Sequence, residues 1–72
     1  MTDSPFALEW TLQTMAFGQL REVHGHDFYE SEGEMREQAE RLKDAPKVQQ
    51  ITYYQRKNGS LQVIEQWLIA SS

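Results

Sequence analysis

The sequence predicts an α+β fold in which an antiparallel sheet of three to four strands carries one helix on one face, in the order β(β)αββ. Three observations support this fold class: a capped amphipathic helix in the middle of the chain, a β-hairpin signal after it, and an alternating apolar pattern before it. The 72 residues are expected to form a single α+β domain, residues 1–72, because so short a chain has room for one core. Residues 1–5 are expected to be disordered.

The N-terminal third alternates apolar and polar side chains, as a half-buried strand does. Its apolar positions are Phe6, Leu8, Trp10 and Leu12. We expect Trp10 to pack in the core. A bend near Phe17-Gly18, followed by residues 19–23, predicts a second strand.

The predicted helix begins at Ser31, which forms a capping box with Glu34. Apolar residues then recur with helical spacing, and this narrow stripe must face the sheet. The stripe consists of Met35, Ala39 and Leu42. The helix is expected to end at Ala45, because Pro46 disfavours helical geometry in the residue before it.

The predicted hairpin joins residues 48–57 to residues 60–69 through Asn58-Gly59, the preferred pair for a type I′ turn. A two-residue turn fixes the register and therefore the face of every side chain. One face is expected to present Ile51, Tyr53, Ile64 and Leu68. The opposite face is expected to present Tyr54, Leu61, Val63, Trp67 and Ile69.

A single helix covers only one of these two apolar faces. Three possibilities follow for the second face. The N-terminal segment or a bend in the sheet covers it, or the chain forms a homodimer through this face or through an edge strand. In the third possibility, the second face binds another protein. In the last case the expected partner-binding residues are Tyr54, Trp67, Val63 and Leu61. Tyr54 and Trp67 would be the anchors, because Tyr and Trp are frequent hot spots of interfaces.

The net charge of −4 is concentrated in the middle of the chain, between Glu22 and Asp44. Helical spacing predicts that most helix acids are neutralised by Arg36, Arg41 and Lys43. The acids that lack such partners are Glu22, Asp27 and Glu30, and we expect them to contact a basic surface of a partner protein.

Two alternative functions remain. A homo-oligomeric accessory subunit would use the same apolar face for self-assembly. A nucleic-acid-binding module would use Tyr53, Tyr54 and Trp67 for base stacking, with Arg56 and Lys57 for phosphate contacts. The acidic middle of the chain disfavours this function, because it repels phosphates.

The run His24-Gly25-His26-Asp27 is the one segment that resembles a chemical site. Two histidines at i and i+2 of a strand point the same way, and Asp27 would complete a metal-binding triad. We interpret the run instead as a solvated turn leading into the helix, because it holds no third histidine or thiolate and its glycine loosens the geometry. A pH-sensitive contact is the remaining reading. No metal site is predicted.

Catalysis is not predicted, and neither is a cofactor. The chain has no cysteine, its glycines are isolated, and Ser31 and Ser60 are explained as a cap and a turn residue. The N-terminus lacks the charge and apolar run of a signal peptide, and no segment is long enough to cross a bilayer. We therefore expect a cytoplasmic protein with no membrane partner.

The overall pattern resembles the small early proteins of bacteriophages and other mobile elements, including host-enzyme inhibitors and anti-defence proteins. The resemblance rests on a first strand that carries Trp10, on Phe28 before a capped acidic helix at 31–45, and on an Asn58-Gly59 hairpin that closes on Trp67. It implies a non-enzymatic protein that binds a host macromolecule and alters its function.

Overall fold

The computed structural model of the protein describes residues 4–69. Its elements are β1 (Phe6–Ala16), β2 (Gln19–Tyr29), α1 (Glu32–Lys43), β3 (Val48–Lys57) and β4 (Ser60–Leu68). The four strands form one antiparallel sheet in the order β2-β1-β3-β4, so β1 and β3 are central and β2 and β4 are the edges. The predicted α+β fold is confirmed, with the order ββαββ.

Strands β1 and β2 form a regular hairpin from Phe6 opposite Tyr29 to Ala16 opposite Gln19. Its turn residues, Phe17 and Gly18, both have positive φ angles, 53° and 77°, as a type I′ turn requires. The second strand is therefore confirmed but is much longer than residues 19–23. Pairing with β1 supplies hydrogen bonds along the whole of β2.

This longer strand corrects the interpretation of residues 24–27. They lie in the middle of β2 rather than in a solvated turn. The glycine is accommodated because Trp10 of β1, directly opposite Gly25, covers the space that a side chain would occupy.

The helix begins as predicted, with the Ser31 hydroxyl accepting a hydrogen bond from the Glu34 N–H at 3.2 Å. Met35 and Ala39 are fully buried, and Leu42 packs against the same core. The helix ends at Lys43, slightly before the predicted end. The Asp44 N–H bonds to the Arg41 carbonyl at 3.2 Å, which tightens the last turn.

The β3–β4 hairpin turns at Asn58 and Gly59, whose φ angles of 53° and 82° confirm the predicted type I′ turn. The register follows the prediction from Lys57 opposite Ser60 to Tyr54 opposite Val63. A β-bulge between Tyr53 and Tyr54 then shifts it by one residue.

The bulge reverses the faces of the last residues of β4. Ile51 is opposite Trp67 and Gln50 is opposite Leu68, so Trp67 lies on the face that the helix covers and Leu68 on the other face. The predicted faces of Trp67 and Leu68 were wrong. An extra residue in one strand lets both Ile64 and Trp67 pack against the core.

The core lies between α1 and one side of the sheet, which we call the helix face. Its fully buried side chains are Leu8, Met35, Ala39, Val48, Ile51 and Tyr53, and Trp10 packs against them as expected. The Arg36 guanidinium lies 5.5 Å from the centre of the Tyr53 ring. It also bonds Glu32 at 2.9 Å and Glu65 of β4 at 3.1 Å, so it joins the helix to the sheet.

The expected disorder at the N-terminus falls partly on residues 1–3, which lie outside the described residues. Ser4 and Pro5 are held by Arg56: the Arg56 side chain donates to the Ser4 carbonyl at 3.1 Å. The Arg56 N–H donates to the Pro5 carbonyl at 2.7 Å. The helix of residues 4–69 is neither long nor apolar enough to cross a membrane.

Candidate binding face of the sheet

The side of the sheet opposite the helix is the candidate functional site, and we call it the open face. It is the side to which Ala7, Glu9 and Thr11 of β1 and their cross-strand partners point. Within residues 4–69 no element packs over it, because β1 lies in the middle of the sheet instead of wrapping across this face. An N-terminal segment that covers the second face is therefore not found in the described part of the chain.

One apolar row crosses the open face from edge to edge. Phe28 is opposite Ala7, Ala7 is opposite Tyr54, and Tyr54 is opposite Val63, so each strand contributes one residue. Phe28 and Val63 are 49% and 58% exposed, whereas Ala7 is buried between its neighbours. Leu61, two residues from Val63 on the same face, extends this apolar row at the β4 end.

Cross-strand hydrogen bonds hold the open face in place. The Tyr54 hydroxyl donates to the Glu9 carboxylate at 3.4 Å, and Thr11 Oγ1 lies 3.3 Å from His24 Nδ1. Gln66 donates to Thr52 through a longer contact of 3.5 Å. Each contact joins one pair of neighbouring strands, so the side chains beside the apolar row are positioned before any partner arrives.

Tyr54 is the central large side chain of the apolar row. Burial raises its pKa above the ordinary value for tyrosine, and the negative charge of Glu9 raises this pKa further. The hydroxyl donates its hydrogen bond to Glu9, while the ring contributes apolar contact area. This combination is typical of tyrosine at protein interfaces.

The structure brings together three of the four sheet residues predicted to bind a partner. Tyr54, Val63 and Leu61 share the open face, as expected. Trp67 does not join them, since it lies on the helix face, where the Lys43 ammonium is 5.9 Å from its ring. The open face also contains large apolar residues that the sequence reasoning missed, among them Phe28 and Leu68.

The face of Phe28 could have been predicted from the sequence, whereas the face of Leu68 could not. Residues 20–28 alternate in a way that places Leu20, His24 and Phe28 on one face of a strand, and recognising that strand would have placed Phe28. The face of Leu68, which is 63% exposed, depends on the bulge.

The three predicted acidic contact residues do not form one surface. Glu22 lies on the open face, whereas Asp27 is opposite Leu8 on the helix-face side. The two residues are also about 17 Å apart along the strand. Asp27 accepts a hydrogen bond from the Phe28 N–H at 2.8 Å, and Glu30 accepts one from the Ser4 hydroxyl at 3.3 Å.

The two histidines lie side by side on the open face, but Asp27 points to the other side of the sheet. The metal-binding triad that was considered is therefore not assembled. The His26 ring meets the Phe28 ring edge-on, with centroids 6.0 Å apart and an interplanar angle of 77°. Across residues 4–69, no group of three His, Cys, Asp or Glu side chains is placed to hold a metal ion.

The aromatic platform expected for nucleic-acid binding is divided between the two faces. Tyr53 is only 1% exposed beneath the helix, Trp67 lies on the same side, and Tyr54 lies on the open face. Arg56 donates to the carbonyls of Ser4 and Gly59 at 3.1 and 3.3 Å. These bonds use two of the five N–H donors of the guanidinium and direct it toward the protein's own backbone.

A second exposed apolar cluster lies at the tip of the β1–β2 hairpin. Phe17 is 98% exposed at the turn, and Met15 and Leu20, directly opposite one another, are also exposed. This tip projects beyond the rest of the sheet, because β3 pairs with β1 only as far as Leu12.

The chain was compared with family models, curated proteins and solved structures, and none of them matches it.

Proposed function

We propose that this chain is a non-enzymatic protein-binding domain that presents its open face to a partner protein. The observation that carries the proposal is the apolar row of Phe28, Ala7, Tyr54 and Val63, which runs across all four strands without cover from any element of residues 4–69. Burying such a row removes apolar area from water and so favours association.

The composition of the open face favours a protein partner over a nucleic acid. Its carboxylates, Glu9 and Glu22, repel phosphates, and the net charge of −4 adds to this repulsion. A protein interface instead needs an apolar centre with polar groups around it. The hydrogen-bonded pairs Glu9–Tyr54 and Thr11–His24 supply polar groups beside the apolar row.

The absence of catalysis is part of the proposal. Two shallow depressions, of about 250 and 290 Å³, lie away from the apolar row. The first is lined by residues of α1 and Tyr29, the second by residues around Met15 and Lys47. Neither depression contains a histidine beside a hydroxyl, as nucleophilic catalysis with a histidine base would need.

The resemblance to early proteins of bacteriophages and mobile elements bears on the kind of partner. Under that resemblance the partner is a host protein, and binding alters its function. The apolar row would act as the contact centre, with Tyr54 as the anchor.

Site-specific photo-crosslinking in the native cells tests the proposal. A photoreactive residue at Val63 should give an adduct with one heterologous protein, because Val63 ends the apolar row. The matched control is Glu37 on the outer surface of the helix, with an exposed side chain, which should give none. Equal adducts from both positions, or no adduct from either, would contradict the proposal. An adduct of twice the chain's own mass would assign the open face to self-assembly instead.

A further inference from the structure

The outer edge of β2 is a long and regular strand edge. β2 contains 11 residues, pairs with β1 along its length without a bulge, and has no neighbour on its other side within residues 4–69. β4, the other edge strand, is interrupted by a bulge, which is a device that blunts an edge. β2 is therefore the edge that is available to another strand.

The geometry of the β1–β2 turn determines which backbone N–H and C=O groups of β2 point outward from this edge. A two-residue turn makes Ala16 and Gln19 a hydrogen-bonded pair, and the pairing alternates from there. The Gln13 N–H confirms the alternation, since it points away from β2 and bonds the Lys47 carbonyl at 2.9 Å. In β2, the backbone groups that point outward consequently belong to Leu20, Glu22, His24, His26 and Phe28.

The side chains of β2 are complementary to the same strand in a second copy. When two β2 strands pair antiparallel with His24 opposite His24, Glu22 lies opposite His26 on the open face. On the helix-face side, Arg21 lies opposite Asp27, so opposite charges meet directly. Leu20 lies opposite Phe28, which matches an apolar residue with an apolar residue.

Neighbouring registers lose this complementarity. Centring the pair on Gly25 places Asp27 opposite Val23 and Glu22 opposite Phe28. Centring it on Val23 places Arg21 opposite Gly25 and leaves that charge without a partner. Charges on an edge strand ordinarily oppose self-association, but the order of charges along β2 favours it in one register.

We propose that β2 pairs with β2 of a second copy about a twofold axis through His24, which joins two four-stranded sheets into one continuous sheet. The axis is perpendicular to the sheet, so both helices lie on one side and both open faces on the other. The outward backbone groups of both strands become hydrogen-bonded. The Phe28 N–H, which bonds the Asp27 carboxylate in the single chain, bonds the neighbouring strand instead and leaves that carboxylate to Arg21 of the second copy. This dimer does not depend on the proposed function, because it leaves Tyr54 and Val63 uncovered.

A charge exchange measured by sedimentation equilibrium tests the dimer. The unmodified chain should dimerise, whereas Arg21→Asp should raise the dimer dissociation constant by about tenfold or more, because two carboxylates then face each other. Asp27→Arg alone should have the same effect. The double variant, Arg21→Asp with Asp27→Arg, should restore the dimer. Circular dichroism checks that each variant remains folded.

The control is Glu37→Arg, a charge reversal on the exposed helix surface that should leave the dissociation constant unchanged. A second measurement uses His24→Cys, which should form a covalent dimer on mild oxidation, because directly paired Cα atoms in a sheet are about 5.5 Å apart. Gln62→Cys on β4 should not. A monomeric unmodified chain, or a dimer that is indifferent to the charge exchange and to the position of the cysteine, would overturn the proposal. Neither of these results would affect crosslinking from Val63 to another protein. The proposed dimer and the proposed binding function are therefore tested independently.

Discussion

The indole ring of Trp10 lies over Gly25 of the neighbouring strand and occupies the space where any side chain at that position would sit. A Cβ atom on Gly25 would lie 2.7 Å from Trp10 Cζ2, far inside van der Waals contact. A glycine in a strand offers no side chain to pack and weakens it. Here the cross-strand indole covers the gap, which keeps β2 continuous from Gln19 to Tyr29 and places both histidines on the open face.

Gly25→Ala should therefore destabilise the fold by about 1–3 kcal/mol, the usual cost of an overpacked site. The direction is informative, because replacing a strand glycine by alanine otherwise tends to stabilise a protein. Denaturant unfolding measures the change. Gly33→Ala is the matched control: no atom lies within 4 Å of its added Cβ, and helix propensity predicts a gain of about 0.5–1 kcal/mol.

Adding Trp10→Leu to Gly25→Ala checks the cause. The smaller side chain removes the collision, so the two substitutions together should destabilise the protein by less than the sum of their separate effects. Additive effects would mean that Trp10 and Gly25 are not coupled.

The Phe17 backbone is strained, because a bulky residue adopts a φ of 53° at the β1–β2 turn. Phe17→Asn should stabilise the protein by about 1 kcal/mol, since asparagine tolerates this conformation and the exposed ring loses little packing. Thermal unfolding should show a rise of about 4–8 °C for that change.

Asn58→Phe is the reciprocal test, because Asn58 has the same φ of 53° in the other hairpin. It should destabilise the protein by a similar amount. If Phe17→Asn leaves the melting temperature unchanged, the strain is relieved elsewhere in the turn.

Trp67 and Leu68 test the bulge in β4. Trp67 packs against the core, whereas Leu68 is largely exposed on the open face. Trp67→Ala should therefore cost about 2 kcal/mol or more in unfolding free energy, and Leu68→Ala should change it by less than about 0.5 kcal/mol. Urea unfolding of the two variants makes the comparison. The reverse order of effects would show that the unshifted register is correct.

Some of the fold and part of the candidate site can be read from short stretches of sequence. Ser31 caps the helix and Asn58-Gly59 sets a type I′ turn because each feature depends on a few consecutive residues. The register adjacent to that turn placed Tyr54, Val63 and Leu61 correctly on one face. The predicted apolar row lacked Phe28, because this residue lies in the part of β2 that becomes a strand only by pairing with β1.

The sequence by itself determined the local elements of this protein: the capped helix with its Met35 and Ala39 stripe, the two-residue turn at Asn58-Gly59, and the alternation of β1. Only the tertiary structure decided which faces the far ends of the strands present. The bulge beside Tyr53 moves Trp67 under the helix and Leu68 to the open face, and the pairing of Trp10 with Gly25 keeps residues 24–27 in a strand. Both outcomes depend on contacts between residues far apart in the chain, because Trp67 packs against the core beneath the helix and Trp10 packs over Gly25 of the neighbouring strand.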